Sequence, residues 1–129
     1  MKTTALQLWH ACVEERSPAG LDRLLAQEVV FHSPVVHTPQ RGKELTKAYL
    51  SAALHVLGNE SFHYTKEVVQ GGTAILEFET VVDGVTINGV DIISWNEDEQ
   101  VTEFKVMVRP LKAINLLQQQ MAAMLSKRE

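Results

Sequence analysis

The sequence predicts an α+β domain: a conical, curved antiparallel sheet wraps N-terminal helices, and a C-terminal helix closes the chain. Three observations predict it. Apolar residues recur at helical spacing before Gly58 and after Pro110. Between those points the apolar residues instead alternate with polar ones, as in strands. Gly71-Gly72 and Asp83-Gly84 break that alternating region where hairpins would turn.

The elements follow in order. Thr4-Ala5-Leu6-Gln7 has capping-box spacing, so a helix begins near Thr4, with Leu6, Trp9 and Val13 on one face. Ser17-Pro18 stops it and caps a short second helix carrying Leu21, Leu24 and Leu25. Glu28 to Ser33 reads as a strand that Pro34 ends. Gly42 to about Leu57 carries Leu45, Ala48, Tyr49, Ala52 and Val56 on one helical face. Gly58 is its C-cap, and His55 in the last turn suits the negative end of the helix dipole.

Four strands come next: Phe62 to Gln70, Thr73 to Val82, Val85 to Trp95 and Gln100 to Arg109. Asn88-Gly89 is also a turn pair, but Asp83-Gly84 sits better between two strand-like runs, so Asn88-Gly89 reads as a bulge. Pro110 starts a last helix with Leu111, Ile114, Leu117 and Met121 along one side.

Alternation sorts the strand residues by face. Leu76, Phe78 and Thr80 turn inward against Glu77 and Glu79, and Phe104, Val106 and Val108 against Glu103, Lys105 and Arg109. Asp91 shares a face with Ile93 and Trp95; if that face is also inward, Asp91 is a carboxyl group in an apolar cavity. Val90, Ile92 and Met107 then lie on the outer face, among charges, as residues that a partner would cover.

Bulk properties exclude several classes. At 129 residues the chain is one domain, 1–129, large enough to bury a core without staples. Its 45% apolar and 22% charged residues are those of a soluble globule. A net charge of −4 and no basic run argue against a nucleic-acid partner. The N-terminus shows neither a signal-peptide core nor a spanning segment, so no membrane role is expected. Cys12 is the single cysteine, which fits a reducing compartment and a cytoplasmic location. His32 and His37 have no third ligand at metal spacing, so neither a metal nor another cofactor is expected.

Ser33-Pro34-Val35 with Pro39 and Gly42 following, Gly89-Val90-Asp91-Ile92-Ile93-Ser94-Trp95, and the element order together resemble the nuclear transport factor 2-like superfamily. The resemblance covers nearly the whole chain. That superfamily includes SnoaL-like polyketide cyclases, ketosteroid isomerase, scytalone dehydratase and limonene epoxide hydrolase. In the isomerase branch, an Asp at the end of the first strand is the base; a Tyr on the first helix and an Asp on a late strand form the oxyanion hole. The resemblance places Asp91 on that late aspartate, Ser33 at the base and Trp9 at the tyrosine. Two of three catalytic positions therefore differ, which argues against steroid isomerisation. It also implies a homodimer through the sheet.

Asp91 is the candidate catalytic residue. Desolvation should raise its pKa and make it an acid or hydrogen-bond donor; ketosteroid isomerase, the standard example of this effect, belongs to the resembled superfamily. The alternatives are a surface aspartate, with the strand in the opposite register, or an aspartate paired with a backbone donor. Trp9, Ser33, His37, Tyr49, Phe78, Trp95 and Phe104 are the candidate ligand-binding residues. Ser33 could donate a hydrogen bond, His37 sits in the loop between two prolines, and Tyr49 or Ser33 could partner Asp91. For Trp9 the plainer reading is core packing. His32 turns to the opposite face from Ser33. The expected function is binding of a small apolar or aromatic molecule, with isomerase, lyase or hydrolase chemistry through Asp91; the alternative is a non-catalytic ligand-binding or dimerisation module.

Overall fold

In the computed structural model, which describes residues 3–126, the chain forms four α-helices and a six-stranded sheet. Helix α1 (Ala5–Glu15) begins with the capping box: Gln7 N–H donates to Thr4 Oγ1 at 3.1 Å, and Thr4 N–H to Gln7 Oε1 at 2.9 Å. Ser17 caps a single 3₁₀ turn, Pro18–Gly20, and only then comes α2 (Leu21–Leu24). Leu25, expected in that helix, instead starts β1 (Leu25–His32). Leu21, Leu24 and Leu25 are all fully buried, so the apolar run reads alike for a helix and for a strand entering the core. A two-residue strand, β2 (Gln40–Arg41), precedes α3 (Lys43–Leu57).

The remaining strands are β3 (His63–Gln70), β4 (Thr73–Val82), β5 (Val85–Trp95) and β6 (Val101–Arg109), followed by α4 (Leu111–Ser126). Asp83 and Gly84 both have positive φ, at 49° and 76°, which gives the β4–β5 hairpin its tight turn. The strand order is β2-β1-β6-β5-β4-β3, and the curved sheet does not close into a barrel. It is antiparallel except where β1 runs parallel to β6, so the sheet is mixed. No helix among the described residues is long and apolar enough to cross a membrane.

The concave face holds the core. Leu76, Phe78 and Thr80 on β4, Asp91 and Ile93 on β5, and Phe104 and Val106 on β6 are buried there, with Val108 half-buried. Helices α1 and α3 fill the hollow with Trp9, Leu50 and Leu54, and α4 adds Ala113, Leu117 and Met121. Leu111, expected at the head of that last stripe, is 70% exposed; the buried positions 113, 117 and 121 define the face instead.

Asn88-Gly89 is neither turn nor bulge. The β4–β5 register runs unbroken from Thr73↔Ser94 to Val82↔Val85. Gly89 pairs with Phe78, and its missing side chain is where the Phe78 ring lies. A Cβ there would overlap that ring and stand 2.8 Å from the Met107 carbonyl oxygen. Gly89→Ala is therefore expected to destabilise the fold by about 1–3 kcal/mol, the usual cost of forcing an extra carbon into a packed core. Urea denaturation measures this, and an unchanged midpoint would contradict the packing.

Candidate functional site

Asp91 stands in the middle of β5, 5% exposed, facing the hollow between the sheet and the helices. Its Oδ2 accepts a hydrogen bond of 2.6 Å from the Tyr64 hydroxyl. That hydroxyl in turn accepts from Trp9 Nε1 at 2.8 Å. An indole N–H only donates, so the phenol oxygen receives from Trp9 and its proton points at Asp91. The orientation of the relay is thereby fixed.

Tyr64 was not among the residues that the sequence singled out, and a bulge hides it. Tyr64 pairs with Phe78 and Lys66 with Glu77, so Thr65 is an extra residue in β3. Simple alternation would put Tyr64 and Lys66 on one face. The bulge instead turns Tyr64 inward with Phe78, sends Lys66 outward with Glu77 and returns Glu67 inward opposite Leu76. Glu67 Oε1 is met by His10 Nε2 at 2.6 Å, and the His10 ring stands edge-on to Tyr64 at 5.7 Å. The retrievable signal was a tyrosine near a strand start, which needs a polar partner when its ring packs inward.

The electrostatics follow from burial. Desolvation lifts the Asp91 carboxyl from 3.8 to about 7, and the hydrogen bond from Tyr64 opposes that rise. The Tyr64 phenol is held well above its ordinary value, first by burial and then by the Asp91 charge, so it stays a proton donor. Tyr64 gives the only hydrogen bond to the Asp91 carboxyl group among the described residues, which leaves Oδ1 free.

Asp91 opens onto a cavity of about 60 Å³. The sheet contributes Phe31, Phe78, Phe104 and Val106; α1 contributes Trp9 and Val13; α3 contributes Leu50, Ala53, Leu54 and Leu57. Leu117 and Met121 of α4 complete the wall, and Ser33-Pro34-Val35 and Phe62 lie along the less buried side. Besides Asp91, the Ser33 hydroxyl is a polar side-chain group on this lining. Ser33 Oγ accepts from Val35 N–H at 3.1 Å, and its own proton remains available.

Of the residues expected to bind a ligand, Trp9, Ser33, Phe78 and Phe104 line the cavity with Asp91. The other three lie elsewhere. His37 is exposed in the loop before β2. Tyr49 packs its ring 5.5 Å from Phe31, is not on the lining, and is not the partner of Asp91. Trp95 follows a register shift between Ser94 and itself, and its N–H bonds to Gly72 O at 2.9 Å, so it closes the sheet end. His32 faces away and pairs with Glu103 at 3.0 Å. Among the described residues, no group of three or more His, Cys, Asp or Glu side chains is placed to hold a metal ion.

The family profile of the SnoaL-like domain matches residues 6–104. A steroid delta-isomerase from Pseudomonas aeruginosa is 32% identical, with a TM-score of 0.90 over 96% of this chain and 90% of its own. A Silicibacter pomeroyi protein with a cystatin-like fold is 28% identical, with a TM-score of 0.85 over 92% of this chain and 83% of its own. A putative SnoaL-like polyketide cyclase from Jannaschia is 11% identical with a TM-score of 0.68, over 86% of this chain and 89% of its own, and shares the fold. No curated protein sequence matches the chain.

The carboxyl group predicts a pH dependence. Because burial raises the folded-state value, the contribution of Asp91 to stability is fully present below 3.8 and is lost as pH rises through about 7. A rise from 3.8 to about 7 corresponds to about 4 kcal/mol in total. Asp91→Asn keeps the shape and still accepts from Tyr64, but does not titrate. Denaturation at about pH 5 and about pH 8 should show the variant gaining about 2–3 kcal/mol on the wild type over that interval. A constant difference between the two proteins would contradict the raised value.

Proposed function

The chain belongs to the SnoaL-like domain family, and on that premise we propose that it binds a small neutral molecule in the cavity and moves a proton on it through Asp91, an isomerase-type reaction. The observation that carries this reading is the state of Asp91: one oxygen held by Tyr64, the other free in an apolar cavity, and a pKa of about 7. A group poised there both takes and returns a proton at neutral pH. Asp91 Oδ1 takes a proton from a carbon beside a carbonyl; the C–H electrons form a C=C bond, and the carbonyl electrons move onto oxygen. Asp91 then returns the proton at the far carbon of the new system. The Ser33 hydroxyl donates to the oxygen as its charge develops.

Tyr64 and Trp9 act through Asp91. They are positioning residues: the fixed phenol proton keeps Oδ2 occupied and Oδ1 turned to the substrate. The apolar walls favour a substrate without formal charge, since a second buried ion would lack a partner. The competing reading, a non-catalytic ligand-binding module, draws support from the small size of the cavity.

A one-ring β,γ-unsaturated ketone, cyclohex-3-enone, tests the proposal through the ultraviolet absorbance of its conjugated isomer. Wild type should convert it, with a rate that rises through about pH 7 as Asp91 deprotonates. Asp91→Asn should lose about 10²–10⁴-fold, the range for a removed general base. Conversion unaffected by Asp91→Asn contradicts the role of Asp91, and no conversion by wild type favours the non-catalytic module.

We further propose that a second copy of the chain covers the convex face of the sheet. Val68, Ile75 and Met107 are 61%, 43% and 50% exposed there, a patch that water disfavours. Lys66, Glu77 and Arg109 beside it carry both signs, as a two-fold, self-matching surface requires. Cys12 is a buried free thiol, which supports a reducing, cytoplasmic setting. Light scattering should give twice the chain mass at micromolar concentration; a monomer would remove the proposed pairing.

A further inference from the structure

The cavity is small for a ligand site. It measures about 60 Å³, whereas sites for drug-sized ligands run to about 300–1,000 Å³ and a cavity of about 150 Å³ holds benzene. A ligand of even one ring therefore needs a wall that gives way. The walls differ in how easily they could.

The sheet side is locked. Phe104 is gripped by Trp9 at 4.8 Å and by Phe31 at 6.1 Å, and Phe78 stacks on Phe62 at 5.1 Å. Trp9 is pinned by its bond to Tyr64, and Asp91 likewise. Moving any of these rings would disturb the relay. The α3 side is branched aliphatic, with Leu50, Leu54 and Leu57 all buried, and α4 alone brings an unbranched aliphatic side chain to the lining. The two lining residues of α4, Leu117 and Met121, are aliphatic and carry no polar tie. Met121 has three freely rotating side-chain bonds and a soft thioether, so it can vacate volume by changing rotamer alone. Leu117, branched and 3% exposed, cannot follow as far.

We infer that Leu117 and Met121 of α4 set the size limit of the site, so that it admits a neutral one-ring molecule and excludes fused rings. The inference rests on the reading of this cavity as a ligand site. It makes these two side chains specificity determinants and separates this chain from a steroid-sized substrate by packing, independently of the chemistry at Asp91.

Calorimetric titration with three phenols of increasing size tests it: phenol, 2-naphthol and the four-ring phenol estradiol. Each presents a hydroxyl that can donate to Asp91 Oδ1. Wild type should bind phenol and bind estradiol at least tenfold more weakly. Met121→Ala should gain tenfold or more for 2-naphthol while phenol changes by less than threefold. Leu117→Val serves as a second, milder enlargement should Met121→Ala melt before the assay temperature. Ile114→Ala truncates the same helix away from the cavity and should leave the order of the three ligands unchanged.

Wild type binding estradiol as tightly as phenol overturns the size limit but leaves the ligand site standing. So does an equal gain in Ile114→Ala and Met121→Ala. Absence of binding by all three phenols to wild type and to both enlarged variants overturns the ligand-site reading, and this inference with it.

Discussion

A carboxyl group taken out of water must be paired, protonated or hydrogen-bonded, and here Tyr64 supplies the hydrogen bond to Asp91. The bond joins β3 to β5 across β4. It requires the bulge at Thr65, without which the phenol would not face inward with Phe78. Trp9 then ties the same hydroxyl to α1, which fixes how the first helix sits in the hollow. Three elements far apart in sequence are held to one oxygen atom. An unmatched donor or acceptor left in such a place costs about 1–3 kcal/mol, so each member holds the others in register.

Much of this architecture was legible in the sequence, and the reasons are local. The capping box at Thr4, the turn at Asp83-Gly84 and the alternation of Leu76, Phe78 and Thr80 each depend on neighbours a few residues away. Asp91 could be placed on the inner face because Ile93 and Val106 obey the same alternation without interruption. What escaped depends on distant residues. The inward turn of Tyr64 comes from pairing with β4, and the parallel pairing of β1 with β6 comes from topology, since neither leaves a mark in the local pattern. Tyr49 lost its expected role because its ring packs on Phe31 and is not on the cavity lining. Gly89 looked like a turn residue, whereas its lack of a side chain serves the Phe78 ring.

The resemblance to the isomerase branch implied a phenol on the first helix and a base at the end of the first strand. In this chain Trp9 stands on the helix, and the phenol comes from β3 instead. The phenol donates to Asp91. Ser33 keeps a donor where the resemblance implied a base. Under the proposed function the two polar positions trade tasks: Asp91 carries the proton and Ser33 meets the oxygen. Such an exchange is compatible with the fold, because a fold does not by itself fix the chemistry of its site.

The whole arrangement depends on Asp91 being a desolvated acid restrained by Tyr64. Carbon-detected NMR titration of the carboxyl groups in wild type and Tyr64→Phe tests it most directly. Asp91 should titrate near 7 in the wild type and higher in Tyr64→Phe, because the variant loses the one hydrogen bond that favours the charged form. A wild-type value near 4, that of an unperturbed aspartate, or a Tyr64→Phe value unchanged from wild type, would contradict the account.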